Sequence, residues 1–283
     1  MTLRFGTVGT PSGTPASGTD AAIRYIRELG LGALEIAWVR SVRIKDETCA
    51  LLQRAGKECD IYLSVHAPYF INLNSQTAEK MKASDERLLA AARRGYLAGA
   101  TDIIFHPGSY HGQPPEQVYE RVKEKLLEIT GILREEGVEV TLRPETMGKG
   151  AMFGTMEEVV QLSKEIDGVK PCLDIAHLHA RTGDGSFNSY EEFAAMFAYI
   201  RQELGERGLK TMHFHISGIE YTQAGERNHV MLEESDLNWR AFVQACVDFG
   251  VEGRVLSESP TQEDDALLLQ QTYRTLMGEV EQA

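Results

Sequence analysis

Cysteine is scarce and unpatterned. The 283 residues carry four, Cys49, Cys59, Cys172 and Cys246, and no two stand at CxxC spacing. That argues against a disulfide framework and against a cysteine-rich structural metal site. It leaves buried apolar thiols in a reducing compartment. No apolar run approaches the ~20 residues a membrane helix needs. The opening MTLRFGTVGT lacks the apolar core of a signal peptide, so the expectation is a cytoplasmic protein with no membrane contact. Glycine and proline, 26 and 9 residues, are too few for a collagen-like or low-complexity chain. No Gly/Pro/Ser linker or long charge run marks a second domain. GTVGTPSGT after the first apolar run lacks GxGxxG, which disfavours an open dinucleotide-binding sheet. Positive charge is also in the minority: Lys+Arg is 29 against Asp+Glu 42, a formal charge of -13. Polyanions are repelled by such a chain at long range, which argues against broad nonspecific nucleic-acid binding. A local cationic site built from bound metal ions is compatible with it.

What is present is an alternation. Eight β-rich runs fall at 3–9, 33–38, 61–68, 102–107, 138–144, 171–176, 210–217 and 254–259. Several are nearly all apolar, as parallel strands covered on both faces should be. Helical patterns occupy 20–29, 80–99, 115–136, 155–166, 189–207, 238–249 and 263–279. Gly30, Gly99 and Gly137 stand where helices should stop. Eight β/α units in this length predict an α/β protein, a single (β/α)8 TIM barrel domain over 1–283. Such a barrel places its chemistry at the C-terminal ends of the strands.

The strand ends are where polar residues collect. The third run ends in SVHAPY with His66, the fourth in FHPGSY with His106, and the fifth in RPETMG with Glu145. The sixth ends in CLDIAHLHA with Asp174 and His177, the seventh in MHFHISG with His213 and His215, and the eighth in SESP with Glu258. Imidazole nitrogen and carboxylate oxygen are donors for borderline divalent metals. Burying so many ionisable groups together is costly unless cations compensate them. His213 and His215 face the same side, and the strand rise sets His213 ~6.6 Å deeper, so His215 is the ligand candidate. His111 reads as a solvated loop residue and His179 as a support or structural residue.

Five of these segments, in order, resemble the endonuclease IV family of the xylose-isomerase-like barrels: HAPYFINLNS, FHPGSY, PETMGKG, CLDIAHLHA and SESP. The likeness implies metal-dependent hydrolysis of the phosphodiester 5′ to an abasic site in duplex DNA. It implies His66 and His106 on one zinc and Glu145 bridging two. Asp174, His215 and Glu258 would complete the second site, with His177 and His229 on a third. Mn2+ is the alternative ion. Glu145 and Glu258 are then the catalytic carboxylates, and Tyr69 and Phe70 the aromatic pair that enters the damaged duplex. Arg40, Arg43, Lys45, Lys149 and Arg181 are candidates for DNA backbone contacts, and the enzyme is expected to be a monomer.

Three positions depart from the family pattern. Arg227 stands in Arg227-Asn228-His229 where the family has the Asp of an Asp-x-His pair, and arginine stays protonated and cannot ligate a metal. The third site is therefore weakened, lost or rebuilt on a carboxylate such as Glu226, or Arg227 itself holds a phosphate. Ala67 replaces an Asp and Thr146 an Asn. The rival reading is a sugar isomerase or epimerase of the same superfamily, which needs only Glu145, Asp174, His215 and Glu258 around one metal. A catalytically inactive binding module is the third. His66, His106, His177 and His229 favour the nuclease, and the charge of -13 favours a small uncharged substrate.

Overall fold

A computed structural model describes residues 3–279. Strands and helices alternate as β1 Leu3–Val8, α1 Thr19–Glu28, β2 Ala33–Ala37, α2 Asp46–Cys59, β3 Tyr62–His66, α3 Ala78–Leu97, β4 Asp102–Phe105 and α4 Pro115–Glu135. They continue as β5 Thr141–Pro144, α5 Met156–Glu165, β6 Leu173–Asp174, α6 Ile175–Ala180, α7 Tyr190–Leu204 and α8 Glu206–Leu209. The last are β7 Met212–Ile216, α9 Trp239–Asp248, β8 Gly253–Ser257 and α10 Glu263–Leu276. The eight strands are parallel and run in the order β5-β4-β3-β2-β1-β8-β7-β6. Parallel bridges Leu142↔Val169 and Glu145↔Cys172 join the two outer strands, so the sheet closes into the expected (β/α)8 barrel. Among the described residues no helix is long and apolar enough to cross a membrane.

Helix faces pack on the outside of the sheet because their apolar residues recur at i, i+3 and i+4. α1 buries Ala22, Ile23 and Ile26, and α4 buries Val118, Val122, Leu126, Ile129 and Leu133. Phe197 on α7, Phe214 on β7 and Phe242 on α9 form one aromatic contact set across three elements. Inside the barrel every second residue points to the axis. Gly6 permits the tight approach of β1 and β2: a Cβ there would lie 1.8 Å from the Ala33 carbonyl oxygen.

Inward residues stack in layers, as barrel interiors do. On the floor, Asp102 is held between two arginines. Arg254 donates to its Oδ2 at 2.7 Å, and Arg143 donates to its Oδ1 and to the carbonyls of Pro171 and Thr211. In the middle layer Glu35 accepts hydrogen bonds from Ser64 at 2.7 Å and His213 at 3.0 Å. The top layer carries the histidines and carboxylates.

Four elements differ from the sequence expectation. α2 was not foreseen: its inner face is Cys49, Leu52, Ala55 and Gly56, mostly small residues that give a weak periodic signal. The run at 171–176 is a regular strand only over Leu173–Asp174, with Cys172 making an isolated bridge to Glu145. Asp174 accepts the His177 backbone N–H at 2.8 Å and so starts α6, because a capping carboxylate turns the chain into a helix. The helix expected over 189–207 divides at Gly205, whose φ is 71. The loop after β7 is an antiparallel hairpin, Gly218–Thr222 with Gly225–Val230.

Candidate metal centre

Among the described residues, possible ligand atoms form four groups, the atoms of each within 4.8 Å of one another. Three gather at the C-terminal end of the barrel, His66 with His106 and Glu145, Glu145 with Asp174, His215 and Glu258, and His177 with Glu226 and His229, and the fourth joins His215 to His213 and Cys172. The strands deliver His66, His106, Glu145, Asp174, His215 and Glu258, each the last inward position of its strand or the next one beyond it, whereas His177 comes from α6 and Glu226 and His229 from the hairpin after β7. Glu145 belongs to two groups and is 1% exposed. Its Oε2 lies 3.2 Å from His66 Nε2 and 3.4 Å from His106 Nε2, while its Oε1 lies 3.4 Å from His215 Nδ1. Asp174 uses Oδ1 on the His177 N–H; its Oδ2 is buried without a hydrogen-bond partner. An orphaned buried carboxylate oxygen facing two imidazoles and two other carboxylates is what a divalent cation would satisfy. The donor set, all nitrogen and oxygen, fits zinc or manganese.

Neighbouring backbone orients the rings. His66 Nδ1 donates to the Ala67 carbonyl at 2.9 Å and His177 Nδ1 to the Thr146 carbonyl at 2.9 Å, which leaves each Nε2 lone pair facing inward. The Thr146 hydroxyl accepts the Asp174 N–H at 2.8 Å, so this departure from the family pattern supports a ligand candidate's backbone. Burial raises the carboxyl pKa of Glu145, but His215, His106 and His177 outweigh it and hold it well below the ordinary range. For His177, burial lowers the pKa; Asp174, Glu145 and Glu226 reverse that and raise it well above the usual value. His66 follows the same balance, raised by Glu145 against burial.

The third group stands on a β-bulge. Hairpin register pairs Glu220 with Asn228 and Tyr221 with Glu226, so Arg227 is the extra residue. A bulge re-aims the residues on either side of it. Here Glu226 and His229 come to one face: Glu226 Oε2 lies 3.5 Å from His177 Nε2, and the rings of His177 and His229 are 5.6 Å apart. The Glu226 N–H donates to the Gly148 carbonyl at 2.8 Å. A Cβ on Gly148 would lie 2.7 Å from Glu226 Cβ and 3.0 Å from His177 Cδ2, so glycine is required at that approach. Arg227 is exposed and outside the group.

The other expected residues divide. Tyr69 and Phe70 are on the rim, 49% and 63% exposed. The Tyr69 ring stacks on His106 at 5.1 Å, whereas Phe70 meets the Arg87 guanidinium at 5.9 Å. Arg40, Arg43, Lys45 and Lys149 are exposed. Arg181 is a correction: its guanidinium donates to the carbonyls of Met147, Lys149 and Met152 and fastens the loop after β5. His179 lies outside the groups, 2.9 Å from Asp236. His111 is exposed and contacts Asn72 at 3.0 Å.

Glu35 escaped the sequence reading. It is fully buried below the top layer, with Oε1 3.1 Å from His215 Nε2. Its only signal was an acid inside the apolar strand ALEIA.

The sequence model of the family described as xylose isomerase-like TIM barrel matches residues 23–276. An uncharacterized protein of Methanocaldococcus jannaschii is 38% identical over 274 residues, 97% of this chain and 98% of that one. A probable endonuclease 4 of Geobacillus sp. is 33% identical over 162 residues, 54% of this chain and 51% of that relative, about half its length. The crystal structure of endonuclease IV from Thermus thermophilus superposes with a TM-score of 0.74 at 20% identity, covering 98% of this chain and 100% of that one. A D-tagatose 3-epimerase-like protein gives 0.70 at 18% identity, with 98% of each chain covered. At those identities the structural likeness establishes the fold, which both chemistries share.

Proposed function

The chain belongs to the xylose isomerase-like TIM barrel family, and within it we propose that it is a metal-dependent phosphodiesterase that incises duplex DNA 5′ to an abasic site. One observation carries the choice: the His177–Glu226–His229 group beside the shared Glu145. A barrel that holds one metal for sugar isomerisation or epimerisation uses the Glu145, Asp174, His215 and Glu258 group and has no need of the other two. Half-length similarity to endonuclease 4 relatives supports the same reading.

In this reading His66, His106 and Glu145 would hold one zinc, Glu145, Asp174, His215 and Glu258 a second, and His177, Glu226 and His229 a third, with Mn2+ the alternative ion. Such ions supply Lewis acidity to a phosphodiester and a nucleophilic water at neutral pH. Glu145 sets the spacing of the groups from the centre. Glu258, whose Oε1 is 3.5 Å from His215 Nδ1 and Oε2 3.8 Å from His229 Nδ1, stands between two groups and orients the water. Tyr69 and Phe70 enter the base stack beside the lesion, filling the gap left by an extruded nucleotide. Arg227, aimed outward by the bulge, meets a DNA phosphate. Contacts from cationic groups to DNA phosphates make affinity salt-dependent, and the formal charge of -13 confines such contacts to a local site.

The test is cleavage of a duplex carrying one stable abasic-site analogue. Zinc-loaded protein should incise on the 5′ side, and chelator or Glu145→Gln should abolish incision. No incision by protein shown to carry more than one metal overturns the proposal. It moves the assignment to a sugar isomerase or epimerase, for which a panel of ketoses is the next assay.

A further inference from the structure

At the opposite, N-terminal end of the barrel lies a cavity of about 610 Å³. It is lined by the first residues of several strands and by the segments that lead into them. Five cations reach it, Arg4, Arg143, Lys170, Lys210 and Arg254, against two carboxylates, Asp60 and Asp102. That balance is opposite in sign to the whole molecule, whose formal charge is -13. We propose that this cavity is a binding site for a small multivalent oxyanion, inorganic phosphate or the phosphate group of a metabolite.

The argument is charge pairing. Arg4 is paired with Asp60 at 3.2 Å and Lys210 with Glu252 at 3.1 Å. Arg143 and Arg254 share one carboxylate, Asp102, so two cations meet one full negative charge, and the face of the Tyr62 ring, 3.6 Å from the Arg254 guanidinium, adds to it. Lys170 has a hydrogen bond to the Thr211 hydroxyl at 3.1 Å, and no carboxylate among the described residues lies within ion-pair distance of it. Burial, then Arg143, lowers the pKa of its ammonium group. Two unbalanced, partly buried positive charges beside one cavity are costly until a dianion occupies it. The volume is that of a small-molecule site. The site lies on the face opposite the metal centre, so it does not depend on what that centre does.

Lys170 supplies a readout local to the cavity in the full chain, whatever binds at the other end. Acylation of Lys170 is followed by peptide mass spectrometry, with the exposed Lys82 as internal control, in pyrophosphate, in inorganic phosphate, in ribose 5-phosphate and in chloride at matched ionic strength. The site predicts that phosphate compounds protect Lys170 and leave Lys82 unchanged. Stronger protection by the monoester marks a metabolite as the ligand, and stronger protection by the inorganic ions marks those. Lys170→Gln keeps a partner for Thr211, and the affinity difference from the wild type should be on the order of tenfold. Without anion this variant should melt no lower than the wild type, because a charge held for a ligand is a native-state cost. Equal acylation in pyrophosphate and chloride, or an unchanged pyrophosphate affinity in Lys170→Gln, overturns the site.

Discussion

Glu35 Oε1 lies 3.1 Å from His215 Nε2, on the side of the imidazole away from Glu145 and Glu258. The other Glu35 oxygen accepts hydrogen bonds from Ser64 and His213, so the carboxylate cannot rotate without breaking two of them. With Nε2 turned to Glu35, Nδ1 is left facing the centre. A carboxylate behind a ligating imidazole fixes its orientation and raises its basicity, and its loss costs about 10–100-fold in metal affinity. Glu35→Gln should show that loss in competition with a chromophoric chelator, while Glu35→Asp should recover part of it. Unchanged metal affinity in Glu35→Gln would refute this role.

Glu226 and Arg227 are adjacent and make opposite predictions. The bulge turns Glu226 toward His177 and leaves Arg227 in solvent. Glu226→Gln should therefore remove one equivalent of metal, counted by inductively coupled plasma mass spectrometry. Arg227→Ala should keep the metal count and weaken duplex binding; loss of one phosphate contact lowers the slope of log affinity against log salt by about 1. If Arg227→Ala loses metal and Glu226→Gln does not, the third group is assigned wrongly.

These two pairs show what the sequence could and could not say. The top layer was legible because strand residues alternate faces, so a polar residue ending an apolar run must point into the barrel. Glu35 was not, since an acid inside ALEIA reads as easily as a residue on a solvated face. Glu226 was only one of several outcomes, because a one-residue bulge inverts which side chains share a face and leaves no mark in composition. α2 stayed hidden behind its small inner residues, Ala55 and Gly56 among them. Arg181 looked like a free cation, and only the folded loop after β5 brings three carbonyls to it.

Phe70 is the cleaner probe of the rim proposed to meet a duplex. Tyr69 touches His106 and His66, so Tyr69→Ala disturbs ligand candidates as well as any stacking on DNA. Phe70 contacts neither ring in the structure and is 63% exposed. Stacking of an aromatic side chain on a base contributes about 1–3 kcal/mol. Phe70→Ala should weaken binding to an abasic duplex by that amount in a fluorescence-anisotropy titration, with metal content unchanged. An unaltered titration would remove Phe70 from the DNA interface.

Asp102 ties the barrel floor to acid stability. Burial works against its charge, but Arg143 and Arg254 overcome that and hold its pKa far below the carboxylate range. A depressed folded pKa means the stabilisation is present above the unfolded value of ~3.9 and is lost as pH falls from there toward the folded value. This group alone should lower stability by about 1.4 kcal/mol per pH unit across that window. Asp102→Asn leaves two buried guanidinium groups without a carboxylate, which costs about 3–5 kcal/mol at pH 7, and it should flatten the decline below pH ~4. Denaturant melts at neutral and acid pH measure both, and parallel pH profiles for the two proteins would refute the linkage. The same substitution removes a negative charge from the lining of the N-terminal cavity. If that cavity binds phosphate, Asp102→Asn should bind pyrophosphate more tightly and recover more of its lost stability in its presence than the wild type gains.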